Sequence, residues 1–376
     1  MKVSQLPTPY YIVYEDRLRH NLALITDVAR RAGVTIIMAF KANALWRTFP
    51  IIAEYNRDFT ASSLNELRLG CEKLGGEAHS YCPAYTEDTI DEYARHSSHL
   101  TFNSLSQFER FGRRARELGA SPGLRVNPCC SVIETDIYNP MLPGSRFGVT
   151  ADQLGDTLPE GIEGLHFHAL CESDAEDLQT VLEAFERQFG RYLPSLKWVN
   201  MGGGHLMTRE GYNIGLLVKV LTDFRARYPW LRVILEPGSA WTWRTGDLVT
   251  SVVDTVTNSG VNTAIIDASF ACHMPDTLEM PYKPAVTEAV EPSDSTISYR
   301  LGGNSCLSGD FVGDWHFDRP LRRGDRLTLE DMNHYTTVKT TMFNGIQHPD
   351  IVLCDSRGEC SYLRRFTYED YRDRMS

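Results

Sequence analysis

The chain has 376 residues, 42% hydrophobic and 23% charged, which suits a large globular domain with a smaller companion. A net charge of −11 argues against nucleic-acid binding and is compatible with steering a cationic ligand. Nine cysteines, an odd number without CxxC spacing, predict reduced thiols rather than a disulfide framework or a zinc ribbon.

The opening "MKVSQLPTPYYIVYED" has no basic region ahead of a long apolar stretch. No later run approaches membrane-spanning length, so a cytoplasmic protein with no membrane partner is expected. Within it, "PYYIVYE" reads as a strand that could join later strands rather than the first β/α units. From residue 34 to about residue 240, β-rich runs alternate with amphipathic helical stretches, the pattern of parallel strands joined by helices. The runs are "VTIIMAF", "DFTASS", "HSYCPA", "HLTFN", "GLRVN", "GLHFHA", "KWVNM" and "RVILEP". Eight such units predict an α/β fold, a (β/α)8 TIM barrel. Between the second and third runs, "LNELRLGCEKLGG" places Leu64, Leu67, Cys71 and Leu74 on one helix face. Ser173 and Glu176 resemble a capping box ahead of Leu178, Val181, Leu182, Phe185 and Phe189.

From about residue 245 the segments are strand-like: "LVTSVVDTVT", "NTAIIDAS", "ISYRLGG", "DRLTLE" and "YTTVKTT". The expected organisation is an N-terminal strand (1–15) belonging to a β domain, a barrel (16–243), and the C-terminal β-sandwich or β-barrel domain (244–376).

If the strand count holds, the carboxyl ends of the strands bring unusual residues to one rim. Lys41 follows the first run, His168 ends the sixth, "NMGGGH" with Gly203 and Gly204 follows the seventh, and Glu236 of "ILEPG" ends the eighth. Each has a plain alternative. Lys41 could snorkel from a strand end or form half an ion pair. The glycines could make only a tight turn, and Glu236 only a cap or salt bridge. Together, a lysine, a backbone anion cradle and a carboxylate suit pyridoxal phosphate, held by Lys41 as a Schiff base with Glu236 beside the ring nitrogen. His166 and His168 share one strand face and could instead ligate a metal, although no second cluster with ligand spacing accompanies them. No metal is expected. In the β domain, "LGGNSCLSGD" and "DMNHYTTVKTTMFNG" carry Cys306, Asp310 and Tyr335 on Gly- and Asn-rich loops; singly, such residues are more often packing groups.

These segments together resemble the alanine-racemase-like pyridoxal-phosphate enzymes, in particular their decarboxylase branch for basic amino acids. "AFKANA" is similar to that family's cofactor-lysine motif, "GGG" to its phosphate loop, "EPG" to its pyridinium-binding segment, and "CLSGD" and "YTTVKTTMFNG" to its C-terminal signatures. Within the branch, "FHALCES", "DASFACHMPDTLEMPYKP" and "YRLGGNSCLSGD" look most like the carboxynorspermidine/carboxyspermidine decarboxylases of polyamine biosynthesis. The resemblance implies a small cationic carboxylated triamine as substrate and a homodimer with shared active sites. It implies that Lys41 carries the cofactor, His168 stacks on its ring and Glu236 partners its nitrogen. Gly203, Gly204 and Gly238 would supply phosphate-binding backbone and Tyr335 a further phosphate bond. Cys306 as proton donor and Asp310 as binder of a distal substrate amine would arrive from the partner chain.

Two positions depart from the pattern. Ser239 stands where related decarboxylases commonly have a phosphate-binding arginine. Leu307 follows the cysteine where decarboxylases of diamine precursors carry an acid, which argues for a different substrate tail. Diaminopimelate or ornithine decarboxylation, amino-acid racemisation, a metal-dependent barrel hydrolase and a non-catalytic cofactor-binding protein are the competing readings. Glu236 in place of an arginine counts against racemisation.

Overall fold

The computed structural model describes residues 1–133 and 135–376. The chain divides into two compact units, one of Met1–Arg19 with Thr242–Ser376 and the other of His20–Trp241.

In the first unit β1 (Tyr10–Tyr14) is the continuous apolar run "YYIVY". The second unit holds the parallel barrel: β2 (Thr35–Ile36), β3 (Met38–Ala39), β4 (Phe59–Ala61), β5 (Ala78–Tyr81), β6 (His99–Phe102), β7 (Ser121–Arg125), β8 (Gly164–His166), β9 (Trp198–Asn200) and β10 (Arg232–Leu235). All eight expected runs supply these strands, and the first run supplies two. β2 pairs with β10 through Ile234↔Thr35, whereas β3 pairs with β4 through Met38↔Phe59, so one interrupted strand closes the ring. Ile37, at the interruption, keeps its amide paired with the Leu235 carbonyl at 2.9 Å.

Strands buried on both faces explain the near-continuous apolar runs. Inside the ring, Ile37, Trp198 and Ile234 pack together. The indole fits because Gly123 and Gly164 face it. A Cβ at either position would lie 2.2 or 2.0 Å from the Trp198 ring. Phe40 stacks on Phe59 at 4.8 Å and Phe49 at 5.0 Å.

The connecting helices start at hydroxyl or amide caps. Ser63 accepts from the Glu66 amide, Ser104 from Gln107 and Asn213 from Leu216, opening helices Leu64–Lys73, Leu105–Glu117 and Ile214–Arg227. Two local expectations are corrected. The buried face of Leu64–Lys73 runs through Leu67 and Gly70 to Leu74, because Gly70 admits the Phe59 ring, and Cys71 is left exposed. The capping box before helix Ala175–Phe189 is Asp174 with Asp177. Ser173 is unavailable, since its hydroxyl bonds the Cys171 backbone and its own backbone bridges to His205.

The first unit continues with β11 (Gly246–Asn258), β12 (Val261–Ile266), β13 (Ile297–Gly302), β14 (Asp314–Phe317), β15 (Arg326–Leu329), β16 (Asp350–Cys354) and β17 (Cys360–Arg364). β1 lies between β11, antiparallel, and β16, parallel, in one sheet ordered β14-β13-β12-β11-β1-β16-β17, with β15 also on β11. The chain's start and end are therefore knitted into one ladder. Tyr10, Ile12, Val249 and Val352 form part of its core.

"YTTVKTT" is not a strand. Tyr335 has a φ of +55°, incompatible with an extended ladder, and Lys339 is tied to Asp276 at 2.6 Å. Among the described residues no helix is long and apolar enough to cross a membrane.

Candidate active site

Short strands place their last residues at one rim of the barrel, and the loops beyond them enclose a cavity of about 700 Å³. Lys41, His168, Gly203 and Glu236 all line it. Gly204 and Gly238 adjoin these residues along the chain. Cys306, Asp310 and Tyr335 belong to the other unit.

Lys41 sits in the turn after β3, partly buried. Its Nζ is 3.3 Å from His168 Nε2. The other ring nitrogen, Nδ1, accepts a hydrogen bond from the Gly203 amide at 3.0 Å, so a neutral imidazole carries its proton on Nε2. That proton points at Lys41, whose nitrogen must then offer a lone pair. Electrostatics agree: burial, and next the Arg125 guanidinium, hold Lys41 below the ordinary lysine range, with Glu236 pulling the other way. Burial, then Lys41 and Arg125, hold His168 well below the ordinary histidine range. Both effects favour the uncharged amine, the form that attacks an aldehyde.

Glu236 follows β10 and is 8% exposed. Asn200, ending β9, donates to its Oε1 at 2.6 Å and accepts the Gly202 amide at 2.9 Å. Burial raises the Glu236 pKa; the Asn200 bond, Lys41 and the neighbouring Thr60 hydroxyl oppose it. His166 Nε2 and His79 Nδ1 stand 3.8 and 4.0 Å from its oxygens, beyond hydrogen-bond range. Both imidazoles are held well below the ordinary histidine range, chiefly by burial. The carboxyl is thus supported by neutral donors and retains capacity for a further cationic partner.

The glycine loop is demanded first by the protein's own backbone. Gly202 has φ +69°, and a Cβ there would lie 2.5 Å from the Phe167 carbonyl. A Cβ at Gly203 would lie 2.4 Å from the Glu236 carbonyl, and one at Gly204 2.3 Å from that of Leu170. The Gly202 and Gly203 amides are committed to Asn200 and His168, whereas the Gly204 and Gly238 amides have no partner among the described residues. Ser239 bonds Glu172 at 3.5 Å and brings no positive charge. Two unpartnered glycine amides, a lysine held below its ordinary range and a buried carboxyl fit a phosphorylated pyridine aldehyde.

Arg125, at the end of β7, is the principal group that sequence inspection passed over. It is 3% exposed, lies over the Tyr81 and Phe147 rings at 4.7 and 4.5 Å, and donates to the His168 carbonyl at 3.3 Å. A charged residue closing an apolar run, the signal carried by Lys41, was present in "GLRVN".

In the other unit, Cys306 is exposed and its amide donates to Asn344 at 2.7 Å. Asp310 is 3% exposed, and both of its carboxylate oxygens accept hydrogen bonds. Oδ2 accepts from the Ser305 and Ser269 hydroxyls at 2.6 and 2.8 Å, and Oδ1 accepts the Ala271 amide at 2.8 Å. These bonds occupy the carboxylate that the resemblance assigns to a distal substrate amine.

The metal reading finds no support in the pairing of His166 with His168, because both nitrogens of His168 already have partners. Among the described residues the ligand-type cluster is Glu77, His79 and His99, where Glu77 is held by Arg232 at 2.9 Å and the two imidazoles stack at 4.0 Å.

The model of the family described as "Pyridoxal-dependent decarboxylase, C-terminal sheet domain" matches residues 12–333. The carboxyaminopropylagmatine decarboxylase of Synechocystis is 46% identical over 100% of this chain and 97% of its own. The carboxynorspermidine/carboxyspermidine decarboxylase of Campylobacter jejuni is 40% identical over 99% of each chain. The crystal structure of carboxynorspermidine decarboxylase from that organism, complexed with norspermidine, superposes with a TM-score of 0.91 at 39% identity, covering 98% of this chain and 100% of the other. The Helicobacter pylori diaminopimelate decarboxylase structure has the same fold, with a TM-score of 0.82 at 18% identity, covering 99% of this chain and 98% of the other.

Proposed function

The chain belongs to the pyridoxal-dependent decarboxylases, and we propose that it removes the carboxylate from a carboxylated triamine, carboxynorspermidine or carboxyspermidine, in polyamine biosynthesis. The observation that carries the reading is the placement, in one cavity lining, of the Lys41 amine, bonded to His168 and held below the ordinary lysine range, with the buried Glu236 carboxyl. When bound, pyridoxal phosphate supplies an electron-withdrawing ring that takes up the electron pair left by the departing carboxylate.

Lys41 would hold the cofactor through its aldehyde. His168 would stack on the cofactor ring. Glu236, steadied by Asn200, would partner the ring nitrogen and favour its protonated form, whereas an arginine there would favour racemisation. Gly203, Gly204 and Gly238 give backbone to the phosphate, with Tyr335 as a further donor; with Ser239 in place of arginine, that seat relies on neutral donors. Cys306 delivers the proton that replaces CO₂, and Asp310 fixes the loop presenting it. A homodimer in the cytoplasm, each protomer lending Cys306 to its partner, completes the assignment.

Similarity to the Synechocystis enzyme favours a second tail, the guanidinium of a carboxylated aminopropyl agmatine. CO₂ release from carboxynorspermidine, carboxyspermidine and carboxyaminopropylagmatine, side by side with diaminopimelate and ornithine, decides the matter. Faster turnover of either amino-acid control overturns the substrate assignment, and undiminished turnover by Lys41→Ala overturns the mechanism.

A further inference from the structure

A polyamine substrate brings several positive charges to a cavity that already contains Lys41, Arg125 and Arg146. The carboxylates lining that cavity among the described residues are Glu236 and Asp136. Glu236 is buried, bonded to Asn200, and committed to the reacting end. Asp136 differs on every count. It opens the short turn Asp136–Tyr138 in the segment that walls the cavity towards solvent, and it is exposed. Its side chain has no hydrogen bond or ion pair among the described residues. Arg146, on the same wall, lies over the Phe147 ring at 4.2 Å and is not paired with Asp136.

The same lining also includes the apolar side chains of Leu142, Pro143 and Phe147. A cavity that combines an exposed acid, apolar side chains and the buried reactive pair of Lys41 and Glu236 suits a ligand with an amino-acid head, a methylene spacer and a terminal cation.

We propose that Asp136 binds the distal cation of the substrate and thereby sets the preference among tails. The inference rests on the decarboxylase reading above. A carboxylate accepts one bond from an ammonium but two parallel bonds from a guanidinium, so loss of Asp136 should weigh more heavily on a guanidinium tail.

The test uses the holoenzyme with Asp136→Asn and Asp136→Glu, and carboxynorspermidine beside the same compound acetylated on its distal amine. Asp136→Asn should raise KM for the charged substrate about tenfold with kcat changed less than about twofold, as expected for loss of a charge-assisted bond made equally in ground and transition states. KM for the acetylated compound should not differ between parent and variant, and Asp136→Glu should restore most of the loss. Norspermidine, titrated calorimetrically, should bind Asp136→Asn about tenfold more weakly. Equal KM and equal norspermidine affinity in parent and variant overturn the proposal. If the parent releases no CO₂ from any carboxylated polyamine, the functional reading fails instead, and the norspermidine titration still decides whether Asp136 holds a polyamine cation.

Discussion

Replacing Asn200 with leucine tests how the buried carboxyl of Glu236 is kept ready to ionise. Asn200 makes two bonds: it donates to Glu236 at 2.6 Å and accepts the Gly202 amide at 2.9 Å. Losing the second is pH-independent and costs about 1 kcal/mol; losing the first costs about 1.5–3 kcal/mol once the carboxyl is charged, and less while it is protonated. Burial holds the folded-state pKa of Glu236 above its ordinary value, so ionising it drains stability as pH rises from the unfolded carboxylate range through the folded value. Removing a donor that stabilises the charged form raises that value further and extends the drain to higher pH. The stability difference between parent and Asn200→Leu, measured on the cofactor-free protein by urea unfolding from about pH 4 to about pH 9, should therefore start near 1 kcal/mol and widen to about 3 kcal/mol. The acid limb of kcat/KM should move to higher pH in parallel. A stability difference that stays constant across this range would refute the electrostatic account.

Three other substitutions probe separate parts of the molecule. Cys306→Ala should slow turnover about 100-fold or more while leaving cofactor affinity unchanged, as measured by CO₂ release and cofactor titration; full turnover with clean product would remove Cys306 from its role. Asp310→Asn should destabilise the β unit by about 2–3 kcal/mol in thermal unfolding, because an amide cannot accept at both atoms the bonds now made from Ser269, Ser305 and Ala271. Gly164→Ala alone should cost about 1–3 kcal/mol, since the new methyl meets the Trp198 ring at 2.0 Å, yet be neutral or stabilising in a Trp198→Ala background. Additive effects in the urea unfolding of those two variants would show that the indole does not occupy the glycine-lined space.

Lys41, His168, the glycine loop and Glu236 were legible because each interrupts or ends an apolar run, and parallel strands deliver such interruptions to one rim. Arg125 gave the same signal at the end of "GLRVN" without the context of a stacking pair such as Tyr81 and Phe147, which the sequence separates widely. The face of helix Leu64–Lys73 was misassigned at Cys71 because the Phe59 ring, from the preceding strand, selects Gly70. "YTTVKTT" has strand composition, but the positive φ at Tyr335 and the Lys339 ion pairs hold it in turns.

The sequence by itself determined the alternation of strands and helices, the β-rich C-terminal third and the residue types brought to the barrel rim, since periodicity and terminal residues act over a few neighbours. Only the tertiary structure decided that the first barrel strand is interrupted, that His168 faces Lys41 with its Nε2 proton, and that Asn200 supports Glu236 while Asp310 bonds Ser305 of its own loop and the Ser269–Ala271 segment. Those outcomes depend on which polar atoms meet when the chain closes on itself, and a hydrogen bond a few tenths of an ångström from failure is set by long-range packing rather than by local propensity.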